Sequence, residues 1–288
     1  MDNHKVAIKD FDAAIAIDPS EANVYFFRGN SKVSIEEYDS AIEDYYEAIN
    51  LGAQDAAIYS WMGLAYQKNE NQEKAAYYMD LAIQKDNKQE LFYIRRSDLF
   101  YEMGNFAASI ADLSQAQELD PSDPVILYKR GLSHYASKKY KHAIRDFKNS
   151  LQNNPHESYE PDLHYHIGIS FANLENFENA IEPLSKGIRL RPYEAVYLHE
   201  RAKAYLLTGK FEMALKDYDE VIKYQPKNPH AYFGRAFTYK ALKEYYKSAD
   251  DFDKAKSFDP QNPQLVVNSK MIYDIRFIKL CNPGEEMK

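Results

Sequence analysis

The chain has 288 residues, of which 45% are hydrophobic, and its 44 acidic side chains outnumber 36 basic ones to give a net charge of -8. This balance argues against a general nucleic-acid-binding role, because binding phosphates needs a concentrated basic surface. The single cysteine, Cys281, excludes an internal disulfide, and one thiol is too few for a zinc site.

The sequence also bears on where the protein works and what it meets. It contains no run of about eighteen apolar residues, which a membrane helix would need. The opening residues MDNHKVAIKD lack the apolar segment of a signal peptide. We therefore expect a soluble, intracellular, cytoplasmic protein with a protein or peptide partner and with no nucleic-acid or membrane partner. Nothing in the sequence favours a ciliary location.

In chain order, the first element is VAIKDFDAAIAIDP, which reads as the second helix of a pair without its first. Residues 1–21 are thus predicted to be a partial repeat. From Ala22 onward a 34-residue pattern recurs, which is typical of a solenoid of helix pairs, since one pair cannot bury its apolar face alone. Residues 263–288 are predicted to form a capping helix and a tail. The predicted full repeats are 22–55, 56–89, 90–123, 124–160, 161–194, 195–228 and 229–262.

Four positions of the repeat keep their side-chain size from copy to copy. Positions 8 and 20 are always Gly, Ala or Ser, position 24 is always large, and position 27 is small except at Val221. Small residues let two helices approach closely, and large ones fill the space beside them. Turn sequences such as MGNF and TGKF separate the two halves of the repeat and predict a chain reversal. The pattern therefore predicts an antiparallel hairpin in which position 8 faces position 24.

An arginine at position 7 accompanies an aspartate at position 23, which the same hairpin places beside it. Where Met62 or Ile167 replaces the arginine, the aspartate is also absent and position 23 holds Tyr78 or Pro183. We interpret these residues as a structural ion pair between the two helices of a repeat. The predicted pairs are Arg28 with Asp44, Arg96 with Asp112, Arg130 with Asp146, Arg201 with Asp217, and Arg235 with Asp251.

The combination of small residues at positions 8, 20 and 27, large ones at 4, 11 and 24, and proline at 32 resembles the tetratricopeptide repeat (TPR) family. The resemblance covers about Lys5 to Pro260. It implies an all-α, right-handed superhelix of antiparallel helix pairs whose first helices line a concave groove for a partner's peptide or helix. It also implies a protein that is not an enzyme, and no catalytic residue, cofactor or metal is expected.

Positions 2, 5, 6 and 9 of the first helix avoid the hairpin interface and are expected to face that groove. Many of the side chains at these positions are aromatic, and aromatic anchors are common interface hot spots. The alternative is that they pack on one another between adjacent first helices. The predicted groove residues are Phe26, Phe27, Asn30, Trp61, Leu64, Arg95, Asp98, Tyr128, Lys129, Tyr165, His166, His199, Lys203 and Phe233.

Some members of the family hold the C-terminal tails of heat-shock chaperones in a clamp that needs five polar residues. The resemblance carries over only Asn30 and Arg95, while Phe26, Trp61 and Leu91 occupy the other three positions. This pattern disfavours a co-chaperone role.

The C-terminal segment carries a second apolar stripe, formed by Tyr273, Phe277 and Leu280 at helical spacing. We expect this stripe to meet a partner, another copy of the chain, or the groove, so self-association through either end stays open. The predicted function is a non-enzymatic scaffold or adaptor that holds a partner's peptide or helix. The alternatives are the substrate-recognition arm of a larger enzyme, a co-chaperone, and a structural component of a large assembly such as a cilium.

Overall fold

The computed structural model describes residues 2–261, which form fifteen α-helices and no strand. The chain divides into an N-terminal half and a C-terminal half, with the boundary between Lys139 and Tyr140. The helices of the N-terminal half are α1 (Asp2–Ile17), α2 (Ala22–Ser34), α3 (Tyr38–Asn50), α4 (Ala56–Lys68), α5 (Gln72–Lys85), α6 (Glu90–Glu102), α7 (Phe106–Leu119) and α8 (Pro124–Ala136). Those of the C-terminal half are α9 (Tyr140–Gln152), α10 (Glu160–Asn173), α11 (Phe177–Leu190), α12 (Ala195–Leu207), α13 (Phe211–Tyr224), α14 (Pro229–Ala241) and α15 (Tyr245–Phe258).

Within each half, consecutive helices pack as antiparallel hairpins joined by short turns. The turn inside a hairpin places one residue in the left-handed backbone region, as at Glu70 (φ 59°) and Gly104 (φ 74°). The amide of the next residue then donates to a carbonyl five residues back, as from Asn71 to Tyr66 and from Asn105 to Phe100. This is a helix C-cap that satisfies carbonyls left free at the helix end. The same turn residue ends the first helix and starts the reversal.

Small residues of the first helix face large residues of the second, as predicted. A Cβ atom placed on Gly29 would come within 2.6 Å of the Tyr45 ring, and one on Gly168 within 2.5 Å of the Leu184 side chain. Tyr45 and Leu184 are fully buried. The helices of a hairpin therefore approach so closely that a larger residue at these glycines would collide with the core.

The helix bounds follow the 34-residue period of the sequence. In the N-terminal half, α2, α4, α6 and α8 begin at residues 22, 56, 90 and 124, and in the C-terminal half α12 and α14 begin at residues 195 and 229. We call α2, α4, α6, α8, α10, α12 and α14 the first helices, and the remaining ones the second helices. The division of the chain into seven repeats stays a prediction. The predicted capping helix at 263–288 and its stripe of Tyr273, Phe277 and Leu280 lie outside the described residues.

None of the helices in the described part of the chain is both long enough and apolar enough to cross a membrane.

Candidate partner-binding surface

The first helices are fixed in place by arginines that bridge to the second helices. Arg96 donates from Nε to Asp112 Oδ2 at 2.8 Å and from Nη2 to Asp112 Oδ1 at 2.6 Å. Arg28, Arg201 and Arg235 hold Asp44, Asp217 and Asp251 in the same two-pronged way. The aspartates are buried, so these pairs join the two helices of a hairpin. Arg130 and Asp146 lie in different halves of the chain, and their pairing stays a prediction.

Each bridging arginine also reaches the preceding second helix, which the sequence reasoning missed. Nη1 of Arg96 donates to Asp80 at 2.6 Å, and Nη1 of Arg235 donates to Asp219 at 2.6 Å. Arg28 contacts Asp12 in the same manner, and Arg201 contacts Ser185. The sequence did contain a pattern that could have predicted this contact. In the repeat that precedes each of these arginines, position 25 is Asp or Ser. One guanidinium therefore joins two consecutive repeats as well as two helices.

Where Met62 replaces the arginine, three tyrosines replace the ionic bridge. The Tyr46 hydroxyl lies 2.8 Å from that of Tyr78 and 3.1 Å from that of Tyr66, and the Tyr66 and Tyr78 rings stack at 5.4 Å. Tyr46 occupies position 25 and Tyr78 position 23, the two places that carry carboxylates beside Arg96. In the sequence, this repeat lacks both the arginine and its aspartate. The structure shows that three hydrogen-bonded tyrosines take the place of the arginine and its two carboxylates.

Asn30 lies on the first helix α2 in the N-terminal half, and the oxygen of its side-chain amide accepts a hydrogen bond. The Tyr45 hydroxyl donates to Asn30 Oδ1 at 2.9 Å, and burial raises the pKa of Tyr45 far above its ordinary value, so the phenol stays neutral. Among residues 2–261, nothing accepts a hydrogen bond from the Asn30 amide nitrogen. That nitrogen is available to a partner.

The guanidinium of Arg95 on α6 lies over the Trp61 ring on the neighbouring first helix α4. The Arg95 guanidinium carbon lies 4.3 Å from the Trp61 ring centre, and Nη1 donates to Ser60 Oγ at 2.8 Å. No carboxylate of residues 2–261 lies within 4.0 Å of this guanidinium. Burial lowers the pKa of Arg95, because the charged form loses hydration. The side chain remains a cation, since arginine does not deprotonate in proteins.

A pocket of about 300 Å³ opens beside Arg95 in the N-terminal half. Among the residues that line it, Lys129 Nζ donates to Asp98 at 2.6 Å, and Gln67 Nε2 donates to Glu102 at 2.7 Å. Both carboxylates of the pocket are therefore engaged by other groups. Leu64 lines the pocket as an apolar wall.

The remaining predicted residues of this half divide between surface and core. Phe26 packs against the buried cluster around Tyr45, with ring centres 6.1 Å apart. Phe27 is 50% exposed and stacks at 6.4 Å on Phe11 of α1. Tyr128 is half-buried on α8. The alternative of packing between helices thus describes Phe26 better than Phe27.

In the C-terminal half, the predicted residues of α10 make contacts inside the protein. The Tyr165 ring stacks on Tyr197 at 4.7 Å, and the Phe147 and His166 rings stack at 5.3 Å. Burial lowers the pKa of His166 to about 4, so the ring is neutral at pH 7. These side chains are half-buried and engaged with their neighbours.

The predicted residues of α12 and α14 are similarly engaged, apart from Lys203. The His199 ring lies 5.7 Å from Tyr218, and burial, with His230 and Lys203 nearby, lowers its pKa to about 4. Phe233 packs between Phe237 at 4.8 Å and Phe252 at 5.5 Å. Lys203 is exposed.

Comparison with known families identifies the repeat. Models described as TPR repeat match residues 29–70, 98–138 and 202–243, and models described as tetratricopeptide repeat match residues 128–195 and 229–262. The chain belongs to the tetratricopeptide repeat family. The TPR resemblance and the all-α class of helix pairs predicted from the sequence are confirmed.

Curated relatives of this TPR chain are longer proteins. Tetratricopeptide repeat protein 16 of Mus musculus is 25% identical over 195 residues, which cover 59% of this chain and 24% of the relative. Tetratricopeptide repeat protein 6 of Homo sapiens is 28% identical over 199 residues, which cover 68% of this chain and 38% of the relative. The chain thus matches less than half the length of either relative.

Two solved structures show the same TPR fold. The C-terminal part of a TPR repeat-containing protein from Cytophaga hutchinsonii superposes with a TM-score of 0.70 at 16% identity, covering 84% of this chain and 98% of that one. YrrB, described as a TPR protein with an unusual peptide-binding site, superposes with a TM-score of 0.59 at 22% identity and covers 68% of this chain and 99% of its own. At these identities the likeness shows the fold alone.

Proposed function

We propose that this TPR chain is a non-enzymatic scaffold that holds a peptide or helix of a partner protein along its first-helix surface. TPR folds serve protein–protein interaction, and the matched models describe repeats and no enzyme. The proposal places the partner on the outward side chains of the first helices, at the residues predicted from the sequence.

The observation that carries the proposal is a pair of unused hydrogen-bond donors on the first helices of the N-terminal half. The Asn30 amide nitrogen and most of the Arg95 guanidinium have no acceptor among residues 2–261. Polar groups that are partly withdrawn from water favour a partner that completes their bonds. Phe27 is half exposed one turn before Asn30. Trp61, which is partly buried against the core cluster, lies under Arg95. Aromatic residues of this kind often anchor interfaces.

In the C-terminal half, most of the predicted first-helix residues pack against neighbouring rings. Phe233, Tyr165 and His199 are engaged with other rings of the protein. We therefore assign the main recognition to α2, α4, α6 and α8. The description of YrrB as a peptide-binding TPR protein supports this mode for a related fold.

The experiment is an affinity capture from native extract with full-length protein, read by mass spectrometry. The test variant replaces Trp61 and Tyr128 with Ala. The matched control replaces Tyr77 with Ala, because Tyr77 is an aromatic residue that is 58% exposed on the second helix α5. Thermal unfolding of each variant verifies that the fold is kept.

A partner retained by the Tyr77→Ala control and lost by the Trp61→Ala, Tyr128→Ala variant supports the proposal. A third variant, Phe277→Glu, tests the predicted C-terminal stripe. If the partner is lost only with Phe277→Glu, the first-helix surface is not the binding site. If the captured proteins that are lost include the parts of a larger enzyme, the result would favour the alternative of a substrate-recognition arm. If they include the parts of a structural assembly, it would favour the alternative of a structural component.

A further inference from the structure

Two arginines that are adjacent in sequence have different surroundings. Arg96 is held by Asp112 and Asp80, both within hydrogen-bond distance. Among residues 2–261, Arg95 makes one hydrogen bond, to Ser60, and its guanidinium lies over the Trp61 ring. A guanidinium can bind a carboxylate through two parallel hydrogen bonds. Arg96 makes this contact with Asp112, whereas Arg95 makes it with no carboxylate of residues 2–261.

The charge on Arg95 is uncompensated within the described part of the chain. The two carboxylates nearest to it in the pocket, Asp98 and Glu102, bond Lys129 and Gln67. A cation that is withdrawn from water without a counterion is unfavourable, so an incoming anion gains both the attraction and the hydrogen bonds. Lys68 and Lys129 line the same pocket, so its three cations outnumber its two carboxylates although the whole chain carries a net charge of -8.

The anion that fits is a carboxylate rather than a phosphate. A phosphoryl group carries close to two negative charges at neutral pH and is repelled by neighbouring carboxylates. Asp98 and Glu102 in the pocket wall thus disfavour it. The singly charged carboxylate meets the fork of Arg95 with less repulsion. The volume of about 300 Å³ suits one or two side chains, at the lower limit of small-molecule sites.

The surroundings also favour a carboxylate from within a peptide over one at its end. Trp61 covers one face of the guanidinium, and Leu64 and Tyr101 line the pocket beside it. An internal residue brings a neighbour on each side, and both neighbours then find apolar surface. A terminal residue would leave part of that surface uncovered.

We propose that Arg95 and its pocket bind the side chain of an internal aspartate or glutamate in the partner segment, with the flanking residues resting on Trp61 and Leu64. The inference rests on the proposed function and adds the chemistry that the N-terminal half selects. It predicts partners whose bound segment alternates acidic and apolar residues.

The test begins with a selection from a library of random peptides against full-length protein. Recovered peptides are synthesised with amidated C-termini, and their affinities are measured by fluorescence anisotropy. We expect enrichment of an internal Asp or Glu beside apolar residues. Changing that residue to Asn or Gln should weaken binding at least about tenfold, which corresponds to about 1.4 kcal/mol.

Variants of the protein then assign the effect to Arg95. In Arg95→Gln, the acidic peptide and its amide version should bind with nearly equal affinity, whereas Arg95→Lys should keep part of the difference. Lys85→Gln removes one positive charge from the second helix α5 and should leave the difference unchanged. Unfolding curves of Arg95→Gln check the fold, and the peptide-side substitution tests the idea on the unaltered protein.

The outcomes separate this inference from the proposed function. Peptides that lose affinity with Trp61→Ala but show no acidic preference would overturn the carboxylate site and leave the scaffold function standing. If the Trp61→Ala substitution leaves the affinity of the peptides unchanged, the proposed function itself is overturned. Binding that requires a free C-terminal carboxylate, or that prefers a phosphorylated residue, would also overturn the inference.

Discussion

Arg96 and Asp112 are joined by two parallel hydrogen bonds of 2.8 and 2.6 Å, which fasten the first helix α6 to the second helix α7. Asp112 is buried, and among residues 2–261 Arg96 is the cation that pairs with it. Replacing Asp112 with Ala should lower the free energy of unfolding by about 3 kcal/mol, because Arg96 loses two hydrogen bonds and keeps only the more exposed carboxylate of Asp80. Urea unfolding at pH 7 measures the loss.

A double-mutant cycle and an exposed control test this reading of the pair. Arg96→Met combined with Asp112→Ala should recover part of the loss, and purely additive losses would contradict a coupled pair. The second carboxylate, Asp80, has a side chain that is 47% exposed, so Asp80→Ala should cost at most about 1 kcal/mol.

The tyrosine triad of Tyr46, Tyr66 and Tyr78 leads to a second prediction. Met62 is fully buried at the place where other repeats carry arginine. Met62→Arg alone should destabilise the protein by about 3–5 kcal/mol, because no carboxylate receives the charge. Adding Tyr46→Asp and Tyr78→Asp should restore most of that loss by rebuilding the ion triad. A triple variant less stable than the single one, in chemical denaturation, would show that the triads are not interchangeable.

The half-buried histidines predict a pH dependence. Burial lowers the pKa of His199 to about 4, whereas the unfolded chain has the ordinary value near 6.5. The unfolded state therefore binds a proton first as the pH falls, and stability is lost between pH 6.5 and about 4. Replacing His199 with Phe should reduce the drop in unfolding free energy between pH 7 and pH 5 by up to about 2 kcal/mol. His4→Gln, at an exposed site on α1, should leave the drop unchanged.

The hairpin turns give a fourth prediction. Glu175 adopts a left-handed backbone with φ of 58°, whereas the equivalent turn position in another hairpin is Gly209 with φ of 76°. A side chain in this conformation costs about 1 kcal/mol. Glu175→Gly should therefore raise the unfolding free energy by about that amount, and Gly209→Ala should lower it. Thermal unfolding of the two variants should give shifts of opposite sign.

The pairing of positions 7 and 23 could be predicted because both residues belong to one hairpin and recur at a fixed offset. Asp80 was missed because it comes from the preceding repeat, so its link to Arg96 requires knowing how repeats stack. The residue at position 25 of one repeat correlates with the residue at position 7 of the next repeat. That correlation was the only sign of the contact in the sequence.

The surface positions could be located from the period, whereas the state of each side chain could not. Phe26 and Phe27 are adjacent in sequence, yet the first packs on Tyr45 and the second is half exposed. Likewise Arg95 and Arg96 differ only in what surrounds them. Rotamers and neighbours decide these outcomes, and a repeat pattern specifies neither.

The arginine bridges also limit how such an array can change in evolution. The residue at position 25 of one repeat must suit position 7 of the next, as Asp80 suits Arg96 and Tyr46 suits Met62. Deleting residues 56–89 would bring Tyr46 against Arg96 and remove one of its two carboxylates. Copies of the repeat are therefore not exchangeable parts, and gain or loss of a whole repeat requires compensating substitutions on both sides of the junction.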